Sequence, residues 1–164
     1  MLSTNNATIS LGKPVTAPAL IPVEHKSTPA CINSPFMVDG ECCRVTALSF
    51  GAPHGVMFVD DVDLVDVVAL GSALGTHALF PKGASIVFVQ MLDMENLKAR
   101  LWQRDKGEAA FTPEAACAAG VAAMMCQKIL LGKAIVSMRG NSFHVKWDRC
   151  GGVMLTGPAD LLQA

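Results

Sequence analysis

Charge is scarce in this sequence: 16% of its 164 residues are Asp, Glu, Lys or Arg, and the net charge is -1. The 13 basic residues are scattered rather than gathered into a stripe. Nucleic acids and anionic membrane surfaces select for such a stripe, so neither is expected as a partner. No apolar run approaches the roughly 20 residues that cross a bilayer; the longest, Ala115 to Cys126, ends at Gln127 and Lys128. Residues Met1 to Lys13 carry neither a charged n-region nor an apolar h-region, so export is not expected. The six cysteines form no C-x-x-C pair and lack a histidine spacing that would suit zinc, so no metal site is expected. Nine methionines and no leader fit a reducing cytosol, and a cytoplasmic location is the expectation.

What is present points to a folded, apolar domain. Hydrophobic residues make up 51% of the chain, enough for one substantial core, and residues 1–164 read as a single domain without internal repeats. Short β-prone runs at Ala7 to Leu11, Leu20 to Glu24, Ser34 to Val38, Cys43 to Phe50 and His54 to Val59 are separated by Gly, Pro and Asn. Asp39-Gly40 accepts the positive φ of a tight hairpin. Cys42 and Cys43, adjacent on a strand, point to opposite faces. Asp61-Val62-Asp63 offers an N-cap for a helix from about Leu64 to His77, with Leu64, Val67, Val68 and Leu74 at helical spacing.

Ser85 to Met91 and Leu97 to Gln103 read as paired strands, followed by a very apolar helix from Pro113 to about Leu131, stopped by Gly132. A helix apolar on every side belongs at the centre of the fold. Ala134 to Met138 and Phe143 to Trp147 flank the turn Arg139-Gly140-Asn141, and Gly152 to Thr156 precedes a short terminal element at Pro158 to Asp160. The expected class is α+β, a mostly antiparallel sheet wrapped around the central apolar helix.

Several ordered blocks resemble the second half of the diaminopimelate epimerase family. Gly51-Ala52-Pro53-His54 and Phe58-Val59-Asp60-Asp61-Val62-Asp63 are similar to its G-N-P-H and F-V-D-D-V-D. His77-Ala78-Leu79-Phe80-Pro81, Leu101-Trp102-Gln103-Arg104 and Thr156-Gly157-Pro158-Ala159 follow in the family's order. The resemblance implies a single diaminopimelate-epimerase-like C-terminal domain holding half of a cleft. It also implies a small-molecule substrate, no cofactor, and a role in amino-acid metabolism such as lysine biosynthesis. In the family two cysteines, one per domain, exchange the α-proton of a free amino acid. A complete cleft here would need a partner, either a second copy or an epimerase-like chain.

The resemblance also locates departures. In a gapless match, Ala110 to Ala119 lie over the family's A-C-G-T-G-A-C-A-A, so Thr112 stands at the catalytic cysteine and Cys117 at a structural one. A thiol titrates near pH 8.5 and is available as thiolate at a helix start, whereas a threonine hydroxyl has no such ionised form. Fold relatives that dehydrate 3-hydroxyproline carry threonine at a corresponding place, so lyase chemistry stays open. Thr112-Pro113-Glu114 suits self-capping, with a favoured N-cap, proline at the first helical position and an early acidic residue. Glu114 would repel an incoming carboxylate, at a cost of about 1–2 kcal/mol, or roughly tenfold in affinity.

Ala52 and Ser85 stand at substrate-binding positions, Gln103 replaces a glutamate that contacts the ammonium, and His54 and Arg104 keep the family residues. His54 reads as an acid or base, or as a structural histidine. Arg104 reads as an anion anchor, or as a surface partner of Asp105. Glu114 reads as a catalytic carboxylate or a capping residue. The expectation is an epimerase/racemase-like isomerase subunit that does not use two-cysteine chemistry, or a repurposed lyase or cyclase. The alternative is a non-catalytic or regulatory partner of another epimerase-like chain.

Overall fold

A computed structural model of the chain describes residues 6–24 and 30–162. Strand β1 spans Asn6–Gly12, β2 Ser34–Val38, β3 Glu41–Ser49 and β4 Pro53–Phe58; helix α1 spans Val67–Gly75. Strands β5 (Ser85–Met91), β6 (Asn96–Gln103) and β7 (Gly107–Ala109) lead into α2, Pro113–Met125. Strands β8 (Lys133–Met138), β9 (Asn141–Lys146) and β10 (Val153–Pro158) precede the short α3, Ala159–Leu162. The fold is α+β and dominated by one sheet, in the order β1-β10-β9-β8-β6-β5-β4-β3-β2, with β7 added to β6. Its neighbours are antiparallel except β4 with β5 and β6 with β8, which run parallel.

Strand parity divides the core in two. Along β5, Val87 and Val89 pack on the α2 side, whereas Ile86 and Phe88 pack on the α1 side. This explains a continuous apolar run in place of alternation: β5 is covered on both faces. Helix α2 is buried from Ala115 through Met124 and lies against β3, β4, β5, β6, β8, β9 and β10. Its alanines permit that close approach, and Gly120 lies directly on β9, since a Cβ there would lie 2.9 Å from Val145 Cγ1. On the other face, Gly71 and Gly75 of α1 rest directly on Trp102.

Strands β2 and β5 match the expected bounds, and the Asp39-Gly40 hairpin forms with both φ positive, at 49° and 81°. Cys42 is exposed and Cys43 buried, as alternation requires. Other elements differ. Leu20 to Glu24 is no strand; Pro18–Leu20 is a 3-10 turn, and Pro22 lacks the N–H a ladder needs. The helix expected from Leu64 begins only at Val67, because two aspartates cap in succession. Asp61 accepts from Asp63 N–H over the 3-10 turn Val62–Leu64, and Asp66 accepts from Ala69 N–H at the start of α1. Leu64 and Val68 are consequently exposed.

Helix α2 ends at Met125 rather than Leu131. Gln127 takes a positive φ of 59°, and Lys128 and Ile129 both donate backbone N–H to the Ala123 carbonyl, closing the helix nearly two turns early. Strand β7 was not foreseen; Asp105 and Gly107, with φ of 66° and 90°, turn the chain back onto β6.

Candidate functional site

The residues singled out in the sequence lie on two elements, the sheet and the start of α2. In the parallel pair β4–β5, His54 sits opposite Ser85. Val56, Val87 and Leu101 all belong to the α2-side core, so His54, Ser85 and Gln103, each two residues removed, fall on that same face at one end of the sheet. Ser85 Oγ accepts from the backbone N–H of Arg104 at 3.0 Å and fixes the end of β6.

At the other element Thr112 has extended backbone, φ -137° and ψ 151°, and its Oγ1 accepts from Ala115 N–H at 3.0 Å. Ala116 N–H binds the Thr112 carbonyl, and Pro113 has no N–H. Three of the first four helical positions are thereby accounted for, leaving the Glu114 amide. Removing this cap has a defined cost: Thr112→Ala should destabilise the chain by about 1 kcal/mol, lowering Tm by roughly 2–4 °C in a calorimetric scan.

His54 is 4% exposed. Its Nδ1 lies 2.9 Å from the Ala52 carbonyl oxygen, which can only accept, so Nδ1 carries the proton. Burial pushes its pKa below the usual 6.5, against smaller raising effects from that carbonyl bond and from the charge of Glu114. The imidazole is therefore neutral at pH 7, and its lone pair is on Nε2. Nε2 has no protein partner among the described residues.

The depressed pKa has a consequence for stability. Acidification through 6.5 protonates His54 in the unfolded chain but not yet in the folded one. Stability should fall as pH drops below 6.5, by at most about 1.4 kcal/mol per pH unit, until the folded value is reached. Urea melts of wild type and His54→Gln between pH 7 and pH 5 check this; the slope should flatten in the variant.

Glu114 is half-buried, makes no hydrogen bond or ion pair among the described residues, and exerts its charge on both His54 and Cys117. Cys117 is fully buried, and desolvation raises its thiol pKa far above the ordinary range, so it supplies no thiolate. Ala52 is exposed and contributes through its carbonyl. Arg104 is placed differently: its Nη1 donates to the Lys82 carbonyl and its Nε lies 3.6 Å from Asp105 Oδ2.

The structure thus gathers His54, Ser85 and Gln103 on one face, with Glu114 within electrostatic reach of His54. Arg104 stays with the Pro81–Gly83 turn. The part played by the Ala52 carbonyl leaves no trace in residue type; only the two-residue spacing within Gly51-Ala52-Pro53-His54 hints at it. Five surface cavities of about 250 to 590 Å³ are lined by other residues.

A sequence profile described as Diaminopimelate epimerase matches residues 46–162. The chain is 33% identical over 159 residues to a diaminopimelate epimerase of Oceanobacillus iheyensis, covering 96% of this chain and 56% of that protein. It is 34% identical over 153 residues to one of Leptospira biflexa, covering 93% and 54%. The chain therefore spans about half the length of these curated relatives. Among solved structures, a hydroxyproline epimerase from Agrobacterium vitis with bound trans-4-OH-L-proline superposes with a TM-score of 0.65 at 10% identity, covering 94% of this chain and 50% of that one. A probable proline racemase from Agrobacterium radiobacter gives a TM-score of 0.54 at 13% identity, covering 77% and 46%. At those identities the likeness is one of fold.

Proposed function

Since this chain belongs to the diaminopimelate epimerase family, we propose that it is a diverged, cofactor-independent isomerase subunit that does not use two-cysteine epimerisation. It acts on a small molecule in a cleft completed by a partner, either a second copy or an epimerase-like chain. The observation that carries this reading is the exchange of chemistry at the site. No thiol is available at the start of α2, while a neutral imidazole with an unpartnered Nε2 feels the charge of the Glu114 carboxylate. His54 takes the substrate's α-proton at Nε2, Glu114 stabilises the imidazolium that results, and the electron pair left on carbon is protonated on the opposite face by a donor from the partner side of the cleft. Thr112 and the helix backbone hold Glu114 in place, and Ser85 holds the β6 edge.

The test is α-proton exchange in deuterated water, followed by NMR on a panel of amino acids and amino-acid amides. The full chain is assayed alone and mixed with an epimerase-like partner. Exchange that survives iodoacetamide treatment supports the proposal. Exchange on diaminopimelate that is abolished by alkylation overturns it and returns the chain to the family's thiol mechanism and to lysine or cell-wall precursor synthesis.

A second reading, a non-catalytic partner, draws on the self-capped helix start and on Arg104, whose guanidinium is occupied by Lys82 and Asp105. A chain that forms a stable complex by light scattering but exchanges nothing, in any mixture, would favour it.

A further inference from the structure

We propose that the cavity beyond the C-terminal end of α2 binds a phosphate group, free or carried by a small molecule, between the Arg44 guanidinium and the Lys128 ammonium. Four elements converge there. Asn33 precedes β2, Arg44 lies on β3, Phe58 closes β4 and Lys128 follows α2, and these four residues line a surface cavity of about 350 Å³. The inference stands apart from the isomerase reading, whose residues gather where β4 and α2 begin rather than where they end.

What distinguishes this cavity is the way its cations are held. Lys98, Arg100, Arg104, Lys133 and Arg139 each have a carboxylate within 4.0 Å. Arg44 and Lys128 form no ion pair among the described residues, and no described Asp or Glu lines their cavity. Neutral groups position them instead. Arg44 Nη1 donates to the Asn33 carbonyl at 3.2 Å, and Lys128 Nζ lies 5.0 Å from the centre of the Phe58 ring. Asn33 is itself anchored, with a φ of 47° and its N–H donating to Thr46 Oγ1 at 3.0 Å. Such partners fix a cation without neutralising it. Most of the guanidinium N–H groups, the ammonium protons and the Asn33 side-chain amide are left to donate to a ligand.

Two positive charges that no protein anion balances call for a dianion. Phosphate also offers several acceptor oxygens to a guanidinium fork and an ammonium at once. The negative groups nearby fall short of two full charges. The end of α2 contributes about half a charge, and its last carbonyls already accept from Cys126, Gln127 and Lys128. Asp60 lines the adjoining cavity with Phe58 and Lys128 but forms no ion pair with Lys128. The volume is that of a small-ligand pocket, with room for an organic group beside the phosphate.

The probes are glycerol 3-phosphate, inorganic phosphate, acetate and glycerol. Each is titrated into the full chain at pH 8 in low salt while backbone amide resonances are followed by NMR. The amides of Asn33, Arg44, Phe58 and Lys128 should shift saturably with both phosphates, at least tenfold more tightly than with acetate, and glycerol should shift none. Either order of the two phosphates supports the site: tighter binding of the ester marks a phosphorylated metabolite, and tighter binding of inorganic phosphate marks the free ion. Arg44→Gln and Lys128→Gln should each weaken phosphate at least fivefold, with the fold verified by circular dichroism. Lys146→Gln, which removes the same charge from a different cavity, should leave the affinity unchanged. Acetate binding as tightly as phosphate overturns the proposal, as do an affinity that survives loss of either cation, equal weakening by Lys146→Gln, or no saturable shift at all.

Discussion

Gly75→Ala is expected to destabilise the chain by about 3 kcal/mol and to lower Tm by roughly 6–12 °C. A Cβ at this position would lie 2.2 Å from Trp102 Cζ3 and 2.6 Å from the Ala84 carbonyl oxygen. Neither neighbour can give way cheaply. Trp102 is 7% exposed and seated in the α1-side core, and the Ala84 backbone is tied to Gly75 itself through the N–H it donates to the Gly75 carbonyl at 2.9 Å. Gly71 meets the same ring, where an added Cβ would lie 2.5 Å from Trp102 Cγ, so the indole lies against two glycines one turn apart. Trimming the ring in a Gly75→Ala, Trp102→Leu double variant should cost less than the sum of the two single changes, because one clash disappears. Thermal melts decide the matter: a Gly75→Ala Tm within 2 °C of wild type would mean that α1 does not sit on Trp102 as described.

The second large effect is chemical. His54→Gln is expected to reduce α-proton exchange at least 100-fold, within the range spanned by loss of a general base, with KM little changed. The effect has a pH signature that mere misfolding lacks. In wild type the rate should rise with pH and level off below 6.5, since burial lowers the pKa of His54 and only the neutral ring can accept a proton. Glu114→Gln removes a charge that raises this pKa, so the rising limb should move to lower pH. A rate that climbs only toward the alkaline range, or one that His54→Gln leaves intact, would transfer the role to another group.

Legibility from sequence followed locality. Asp39-Gly40 and the apolar run from Ser85 are strong local signals, and β2 and β5 emerged with the expected bounds. Where two neighbours offered the same chemistry the sequence could not choose. Asp61 and Asp66 are both competent caps, and the structure uses both, shifting α1 by three residues. Strand β7, three residues long, offers too few positions for any period to register.

At the site, capping by Thr112 was readable because it acts three residues along the same chain. The tautomer of His54 was not, because a backbone carbonyl sets it. The pairing of Arg104 with Asp105 was readable between neighbours, but its bond to the Lys82 carbonyl was not, because the Pro81–Gly83 turn lies some twenty residues away in sequence.

Seven strands touch one helix, and that has a mechanical outcome. The buried amides of α2, from Ala115 through Met124, have no route to solvent except through opening of the sheet on which they lie, so their hydrogen exchange should follow global unfolding rather than local fraying. In the two-body cleft proposed above, a helix anchored in this way would stay fixed and any closing movement would fall to the opposing body.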